Sequence, residues 1–500
     1  MSATEWILVV VYSGAAAGLS LYGLVMVGYS IAFLLLRRRR AVMPPTPTNW
    51  PSVTVQLPLY NEKLVVERLI DRVAALDYPA DRLHIQVLDD STDETTQLAR
   101  ARVQWHASRG VNITLLHRSQ PNGHKAGALA AGLHCSDSAF VAVFDADFLP
   151  PRDFLKRVLP HFITPRVGVV QARWGHLNPT QNALTRAQAI AIDGHHIIEQ
   201  TVRSASGLCL NFNGSAGVWR RACIDGAGGW QADTLAEDLD LSYRAQIAGW
   251  RIVYLPEVIV PAEVPPRIAD FKRQQARWAK GSVQALLKLA GPIGRSPLTL
   301  RQRLLGWLHL SGYFAHPLML VMLLTALPLV LHHGPASMHL GWLGLGGFGA
   351  PLLFALSQLA GLQRHSLPQR LGRVLWLPAL LLLGIGVALN NTVAVVEALI
   401  GYQPTRFLRT PKYRASGEGG LEAWEYRLPT HWTTWGELLL GVYGLATALL
   451  AWLDGSNMVM FGLLYGASFL WVAGVSLWEQ RRPVLGRRWG RRPSVARSSD

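Results

Sequence analysis

The 500-residue sequence is poor in charge. Lys, Arg, Asp and Glu together make up 16 % of it, where a soluble enzyme carries about 25 %. Half of the residues are hydrophobic and the mean hydropathy is positive, which argues against a wholly soluble chain. Cysteine is scarce: Cys135, Cys209 and Cys223 are an odd number without paired short spacing. That excludes a disulfide framework and a cysteine zinc site, and fits a reducing cytosol. Cys209 and Cys223 read as small buried apolar residues. No positively charged segment precedes the first apolar run, which is also too long for a signal-peptide core.

Acidic residues are the scarcer charge, 32 against 48 basic, for a formal net charge of +16. The excess is clustered. Arg37 to Arg40 follow the first apolar run, and Arg481, Arg482, Arg487, Arg488, Arg491, Arg492 and Arg497 fill the tail. Both clusters abut hydrophobic segments, so they read as positive-inside anchors in a lipid bilayer. Nucleic acid is not an expected partner, because the basic runs lack interleaved aromatics and no reader motif appears.

The organisation falls into four parts. Residues 1–50 hold a membrane helix and a proline-rich linker, and 51–300 read as a soluble α/β domain. Residues 301–480 are apolar again, and 481–500 form the basic tail. A bilayer core needs about 20 apolar residues as a helix. Candidate later spans are 304–331, 340–362, 375–400, 438–453 and 458–478. The loops near Arg364–Arg373 and Arg406–Arg414 are both basic and should both face inside. The segment 375–400 between them is therefore expected to be re-entrant or in-plane. Asn390, Asn391 and Glu397 within it agree, since polar groups in lipid are costly. The expectation is five crossings in the cell (inner) membrane, with the 51–300 domain cytosolic.

Within that domain, 53–57, 84–88, 112–116 and 140–144 read as strands, with helices over 63–76 and 125–133. Alternation of this kind predicts a parallel sheet with crossover helices. Ligands of such sheets sit beyond the carboxyl ends of the strands, and the acidic strings lie there. Asp145-Ala146-Asp147 follows an apolar strand, and carboxylates two apart at a strand end can hold Mg²⁺ or Mn²⁺ that bridges phosphate oxygens. Asp89-Asp90 follows another strand, either as a turn and helix cap or as contacts to the base or ribose of a nucleotide. Asp238 stands at a helix start. It reads either as an acid favoured by the helix dipole or as a general base. Gln274-Gln275-Ala276-Arg277-Trp278 offers a flat aromatic face and a bidentate phosphate binder. Lys125 opens a helix and is a further phosphate candidate. His124 beside it reads as a local hydrogen-bonding residue.

In order, these strings resemble the processive family 2 glycosyltransferases of the cellulose-synthase-like group, and within it the glucomannan 4-β-mannosyltransferase type and its bacterial relatives. The matching strings are Gln56 to Glu62, Leu88 to Asp93, Lys125 to Leu129, Phe144 to Phe148, Phe212 to Arg220, Glu237 to Leu241, Gln274 to Trp278 and Arg409 to Lys412. The likeness runs from about Val53 to Lys412. It implies a GT-A nucleotide-sugar transferase domain joined to an α-helical transmembrane bundle. It further implies that Tyr60, Glu62, Asp89 and Asp90 line the nucleoside pocket and that Lys125 supports the donor. Asp145 and Asp147 would hold ribose and metal-diphosphate, with Asp238 as base beside Glu237. Gln274, Arg277 and Trp278 would cap the pyrophosphate and acceptor end, over an acceptor floor of Phe212, Asn213, Gly214 and Ser215. Ala236 departs from the Thr or Val of many relatives.

Partners implied are a nucleotide-sugar donor, UDP-glucose or GDP-mannose, and a glycan or lipid acceptor. The activity expected is an inverting hexosyl transfer that builds a β-linked glucan or mannan. The alternative is addition of one sugar to a lipid such as diacylglycerol. A transporter would show broken helix pairs at mid-membrane; here the acidic motifs lie in the soluble segment instead.

Overall fold

The computed structural model of the chain describes residues 2–36, 44–332, 347–361, 366–402, 410–413 and 431–481. Arg37 to Arg40, Arg364, Arg406 to Arg409, Arg414 and the tail from residue 482 lie outside the described residues, as do the ends of the expected 340–362 span.

Helix α1, Ala3–Leu36, is apolar throughout. At 1.5 Å per residue its 34 residues exceed the roughly 30 Å of a bilayer core. The chain then enters a seven-stranded sheet of order β3-β2-β1-β4-β6-β5-β7. Its strands are β1 Val53–Leu59, β2 Leu83–Asp89, β3 Ile113–His117, β4 Phe140–Val143, β5 Val167–His176, β6 Gly217–Arg220 and β7 Arg251–Ala262. The first four pair in parallel, as their crossover helices dictate. These are α2 Val66–Ala74, α3 Thr95–Ala107 and α4 His124–His134.

The sheet as a whole is mixed, which corrects the expectation of a parallel one. Strand β6 runs antiparallel to both β4 and β5. This short strand returns the 212–216 segment to the carboxyl end of β4, so the reversal builds the site. Two apolar layers cover the sheet. Val55, Leu57, Ile70, Ile85 and Phe144 pack on one face, and Leu129, Val141, Phe212, Trp219 and Leu241 on the other. Helix α5 Ala183–Asp193 and helix α6 Glu237–Ile247 lead to the long α7, Ile268–Arg295.

The membrane region continues with α8 Leu300–Leu310, α9 Ala315–Leu331, α10 Gly349–Ala360 and α11 Leu367–Val374. It closes with α12 Leu377–Gly386, α13 Ala388–Leu399, α14 Thr433–Leu453 and α15 Val459–Arg481. Among the described residues four helical stretches are long and apolar enough to cross a membrane: α1, Gly312–Leu331, α14 and α15. The expected 304–331 span is thus two pieces, with α8 separate. The described part of the 340–362 span is the 12-residue α10. The 375–400 segment is two helices bent by 41° at a break; counted as one span, they make a fifth. Its polar residues face protein. Asn390 Nδ2 donates to the Lys272 carbonyl, Asn391 meets His316, and Glu397 pairs with Lys280 at 3.1 Å. They do not by themselves require an in-plane helix.

Candidate functional site

The register of the parallel strands lines up their carboxyl ends. Leu59 stands opposite Asp89, and the Asp90 amide donates to the Leu59 carbonyl. The turn Tyr60-Asn61-Glu62 therefore lies beside Asp89-Asp90. Asn61 adopts φ 58° and clamps the two turns: its amide donates to Ser91 Oγ, and its Oδ1 accepts from the Thr92 amide. Tyr60 and Glu62 are half-buried on this turn.

Asp89 is fully buried and both its oxygens are engaged. Oδ1 accepts from the Ser91 amide, and Oδ2 takes Thr96 Oγ1 at 2.6 Å and His117 Nδ1 at 2.8 Å. Asp90 is held bidentately by Arg118, at 2.7 and 2.5 Å. These two carboxylates set the loop and the charge of the pocket floor, and Asp89 keeps one acceptor position on Oδ1. Arg118 was not singled out by sequence, although it directly follows β3 at the same sheet edge.

The carboxyl end of β4 carries the densest charge. The Asp145 amide donates to Ser215 Oγ at 2.9 Å, because the Ala216 amide donates to the Val143 carbonyl and draws the two segments together. Asp145 Oδ1 lies 2.6 Å from Lys125 Nζ, which also donates to the Gly214 carbonyl at 2.8 Å and stands 3.6 Å from Glu237. Gly214 has φ 75°, and a Cβ there would lie 2.8 Å from Asp238 Oδ2. So Lys125, Asp145, Gly214, Glu237 and Asp238, brought from four separate strings, form one cluster.

Burial works against the charge on Lys125, but Asp145, Glu237 and Asp238 outweigh it and raise its pKa. Asp238 is pushed up to about 7, first by burial and then by the charge of Glu237; Lys125 and the Leu239 amide oppose the shift. Its place in the first turn of α6 therefore serves the helix dipole and a titratable role together. Ala236, just before, packs against α7: a Cβ at Gly281 would lie 2.9 Å from the Ala236 Cβ. A larger residue at 236 would crowd that contact.

Asp147 lies deeper and is 1 % exposed. Its Oδ2 accepts from Lys412 Nζ at 2.9 Å and from the Glu263 amide at 3.2 Å. Its Oδ1 is buried with no hydrogen-bond partner among the described residues. Burial raises the Asp147 pKa and Lys412 opposes the rise. Lys412 comes from the segment between α13 and α14. Next to it, the Tyr413 amide donates to Glu263 Oε2 and its hydroxyl to Asp270.

Asp145 and Asp147 fit Mg²⁺ or Mn²⁺ only in part. Among the described residues no group of three or more His, Cys, Asp or Glu side chains is placed to hold a metal ion. Two carboxylates with diphosphate oxygens are nonetheless a common Mg²⁺ environment. The unpartnered Asp147 Oδ1 and the 35 % exposed Asp145 side chain supply suitable oxygens.

Asp238 also lines a cavity of about 660 Å³ that runs towards the membrane helices. Asn213, Gln274 and Trp278 line it as well, with Trp174, whose ring centroid is 6.3 Å from that of Trp278. Gln274 and Trp278 share a face of α7 because they are one helical turn apart. Farther along, the lining is aliphatic: Val25 and Met26 of α1, Leu353 of α10, Leu380 and Leu383 of α12. Arg277 is not part of the lining and makes no ion pair among the described residues. Phe212 also stands apart from the cavity. It is wholly buried against Trp219, with ring centroids 5.3 Å apart, and supports the 213–215 turn from beneath. Ser215, 1 % exposed, fixes Asp145 instead of facing the cavity.

A family profile described as Glycosyltransferase like family 2 matches residues 51–281. Glucomannan 4-beta-mannosyltransferase 2 of Arabidopsis thaliana is 42 % identical over 257 residues, 50 % of this chain and 48 % of that protein. Glucomannan 4-beta-mannosyltransferase 1 of Cyamopsis tetragonoloba is 41 % identical over 265 residues, 51 % of this chain and 50 % of that protein. The chain spans about half the length of the curated relatives it matches. A solved mannosyltransferase of Pyrobaculum calidifontis, in complex with GDP-Man and Mn²⁺, superposes with a TM-score of 0.52 at 23 % identity. That superposition covers 78 % of this chain and all of the other, a likeness of fold. From its GT-A-like sheet domain and these relatives, residues 51–281 are a family 2 glycosyltransferase domain, related to the plant glucomannan 4-β-mannosyltransferases.

Proposed function

We propose that this protein is an inverting hexosyltransferase that builds a β-linked glucan or mannan from a nucleotide sugar at a membrane. The observation that carries this reading is the placement of Asp238, with its pKa near neutrality, between the Lys125–Asp145 pair and the mouth of the cavity.

In this reading Asp238 is the general base. It takes the proton from an acceptor hydroxyl as that oxygen forms a bond to the anomeric carbon of the donor. The bond from that carbon to the diphosphate oxygen breaks, and the anomeric configuration inverts. Lys125 faces the charge that builds on the departing diphosphate. Tyr60, Glu62 and the loop braced by Asp89, Asp90 and Asn61 shape the nucleoside end. Asp145 and Asp147 would hold Mg²⁺ or Mn²⁺ near the donor phosphates, where the ion would neutralise phosphate charge. Gln274 and Trp278 seat the acceptor end, and Arg277 reaches the pyrophosphate once the donor is in place. The basic runs beside the spans support a cytosolic catalytic domain on the cell membrane.

The aliphatic lining beyond Trp278 favours a second reading, transfer of one sugar to a lipid acceptor. Incubating the full chain with GDP-mannose and with UDP-glucose and sizing the products separates the two. Polymer is expected, from one donor of the panel. A single-sugar glycolipid as sole product would replace the polymer reading, and undiminished turnover in Asp238→Asn would overturn both.

A further inference from the structure

After α5 the chain does not continue as a regular α-helix. It widens into a π-helical turn over Gly194–Glu199 and then resumes as Gln200–Ala205. Such turns sacrifice hydrogen-bond geometry and concentrate at functional positions. This one presents His195 and Glu199 to the cavity that holds Asp238 and Trp278. Their side chains are 29 % and 22 % exposed, and His195 Nδ1 lies 2.9 Å from Glu199 Oε2. The reaction described above uses neither residue.

Glu199 Oε1 has no close hydrogen bond. Its nitrogen neighbours stand farther off, the Arg203 guanidinium at 3.5 Å and the His309 imidazole, whose pKa burial pushes down to about 3, at 3.9 Å. Burial opposes its charge, but His195, His309 and Arg203 hold the carboxyl well below the usual carboxylate range. It is thus an ionised acceptor with spare capacity, facing a cavity. On its other side His195 meets Asn213, with Nε2 3.3 Å from Oδ1. Asn213 Nδ2 is buried without a hydrogen-bond partner among the described residues. A carboxylate oxygen held only by the 3.5 Å ion pair with Arg203 and an amide donor without a partner therefore flank the wall between Asp238 and the aliphatic end. A purely structural ion network would satisfy such atoms internally. A hexose ring carries hydroxyls that both donate and accept, and an apolar face that suits an indole.

We propose that Glu199, oriented by His195, is a specificity-determining residue for the acceptor. Its carboxylate accepts hydroxyl hydrogen bonds from the terminal hexose of a β-linked glycan whose ring lies on Trp278, and Asn213 Nδ2 donates to the same sugar. The inference rests on the transferase reading above and names its acceptor subsite.

The test uses the full chain in detergent, with β-1,4-linked mannotetraose and glucotetraose as acceptor probes. Binding is read by tryptophan fluorescence, and donor hydrolysis by nucleoside diphosphate release without acceptor. Glu199→Gln is expected to weaken tetraose binding about ten-fold, the scale of one charge-assisted hydrogen bond, with donor KM and hydrolysis within about two-fold of wild type. His195→Gln, which leaves the buried Arg203 paired with Glu199, is expected to weaken it about three-fold. Wild-type affinity in His195→Gln, or a parallel loss of donor hydrolysis in Glu199→Gln, would overturn the proposal. So would a wild-type enzyme that turns over donor yet binds neither tetraose, an outcome that leaves the transferase reading intact. A wild-type enzyme that turns over neither donor removes that reading, and this inference with it.

Discussion

Replacing Glu237 by Gln should move the acidic limb of the kcat/KM profile towards lower pH. The Asp238 carboxyl is raised to about 7 by burial and, next in size, by the adjacent Glu237 charge. The substitution removes that charge and keeps the side-chain shape. At an effective dielectric of about 20 and a charge separation of about 8 Å, Coulomb's law gives about 2 kcal/mol. That equals about 1.5 pKa units, and the solvent that reaches the 14 % exposed Glu237 side chain reduces it to about one. The direction follows from the chemistry. Without a like charge nearby, the carboxylate form is less disfavoured, so the base is available at lower pH. The profile measured with saturating donor and Mn²⁺ should keep its plateau within a few-fold and start its rise about one unit earlier. A limb that stays in place or moves upward would refute both the base assignment and the electrostatic origin of its pKa.

Three other outcomes are expected. Asp147→Ala should abolish metal-dependent donor binding, and a Mn²⁺ titration that retains the wild-type donor affinity would contradict its placement as ligand. Gly214→Ala adds a Cβ 2.8 Å from Asp238 Oδ2 at a φ of 75°. It should lower kcat by roughly a hundred-fold, as misplacement of a reacting group does, with little change in thermal stability; unchanged kcat would refute the close contact. Lys272 and Glu437 are 5 % and 0 % exposed and 2.8 Å apart. Lys272→Met leaves a buried carboxylate unpaired and should cost about 3–5 kcal/mol, largely restored in the double variant with Glu437→Leu, by thermal unfolding in detergent.

The parts of this molecule legible in the sequence are those with local signals. The strands at Val53–Leu59 and Leu83–Asp89 are apolar runs that end in acidic or turn residues, and both lie where the pattern puts them. The antiparallel β6 has four residues, and the Asn213-Gly214 turn before it does not tell its direction, so only its pairing with β4 and β5 reveals it. The strings carrying Lys125, Asp145, Gly214 and Asp238 were readable, but their convergence depends on that strand. Arg118 could have been found from its place directly after β3. Lys412 belongs to the matching string Arg409 to Lys412, but its contact was not legible, since its partner Asp147 is 265 residues away in sequence. His195 and Glu199 look like an ordinary helical pair until the π turn aims them at the cavity. Hydropathy does not register the breaks at Ser311 and Val387, so the 304–331 and 375–400 segments read as continuous from sequence.

The segment Thr410 to Tyr413 is short, yet it joins the sheet domain and the apolar helices of this protein into one object. A fragment cut to residues 51–300 for convenience of handling would lose Lys412, the only cation within hydrogen-bond reach of Asp147 among the described residues, and the tyrosine that ties down Glu263 and Asp270. Such a fragment would enter the assay with an uncompensated acid at the proposed donor pocket. Weak sugar-nucleotide affinity in it would then measure the missing strap, not the intrinsic strength of the domain.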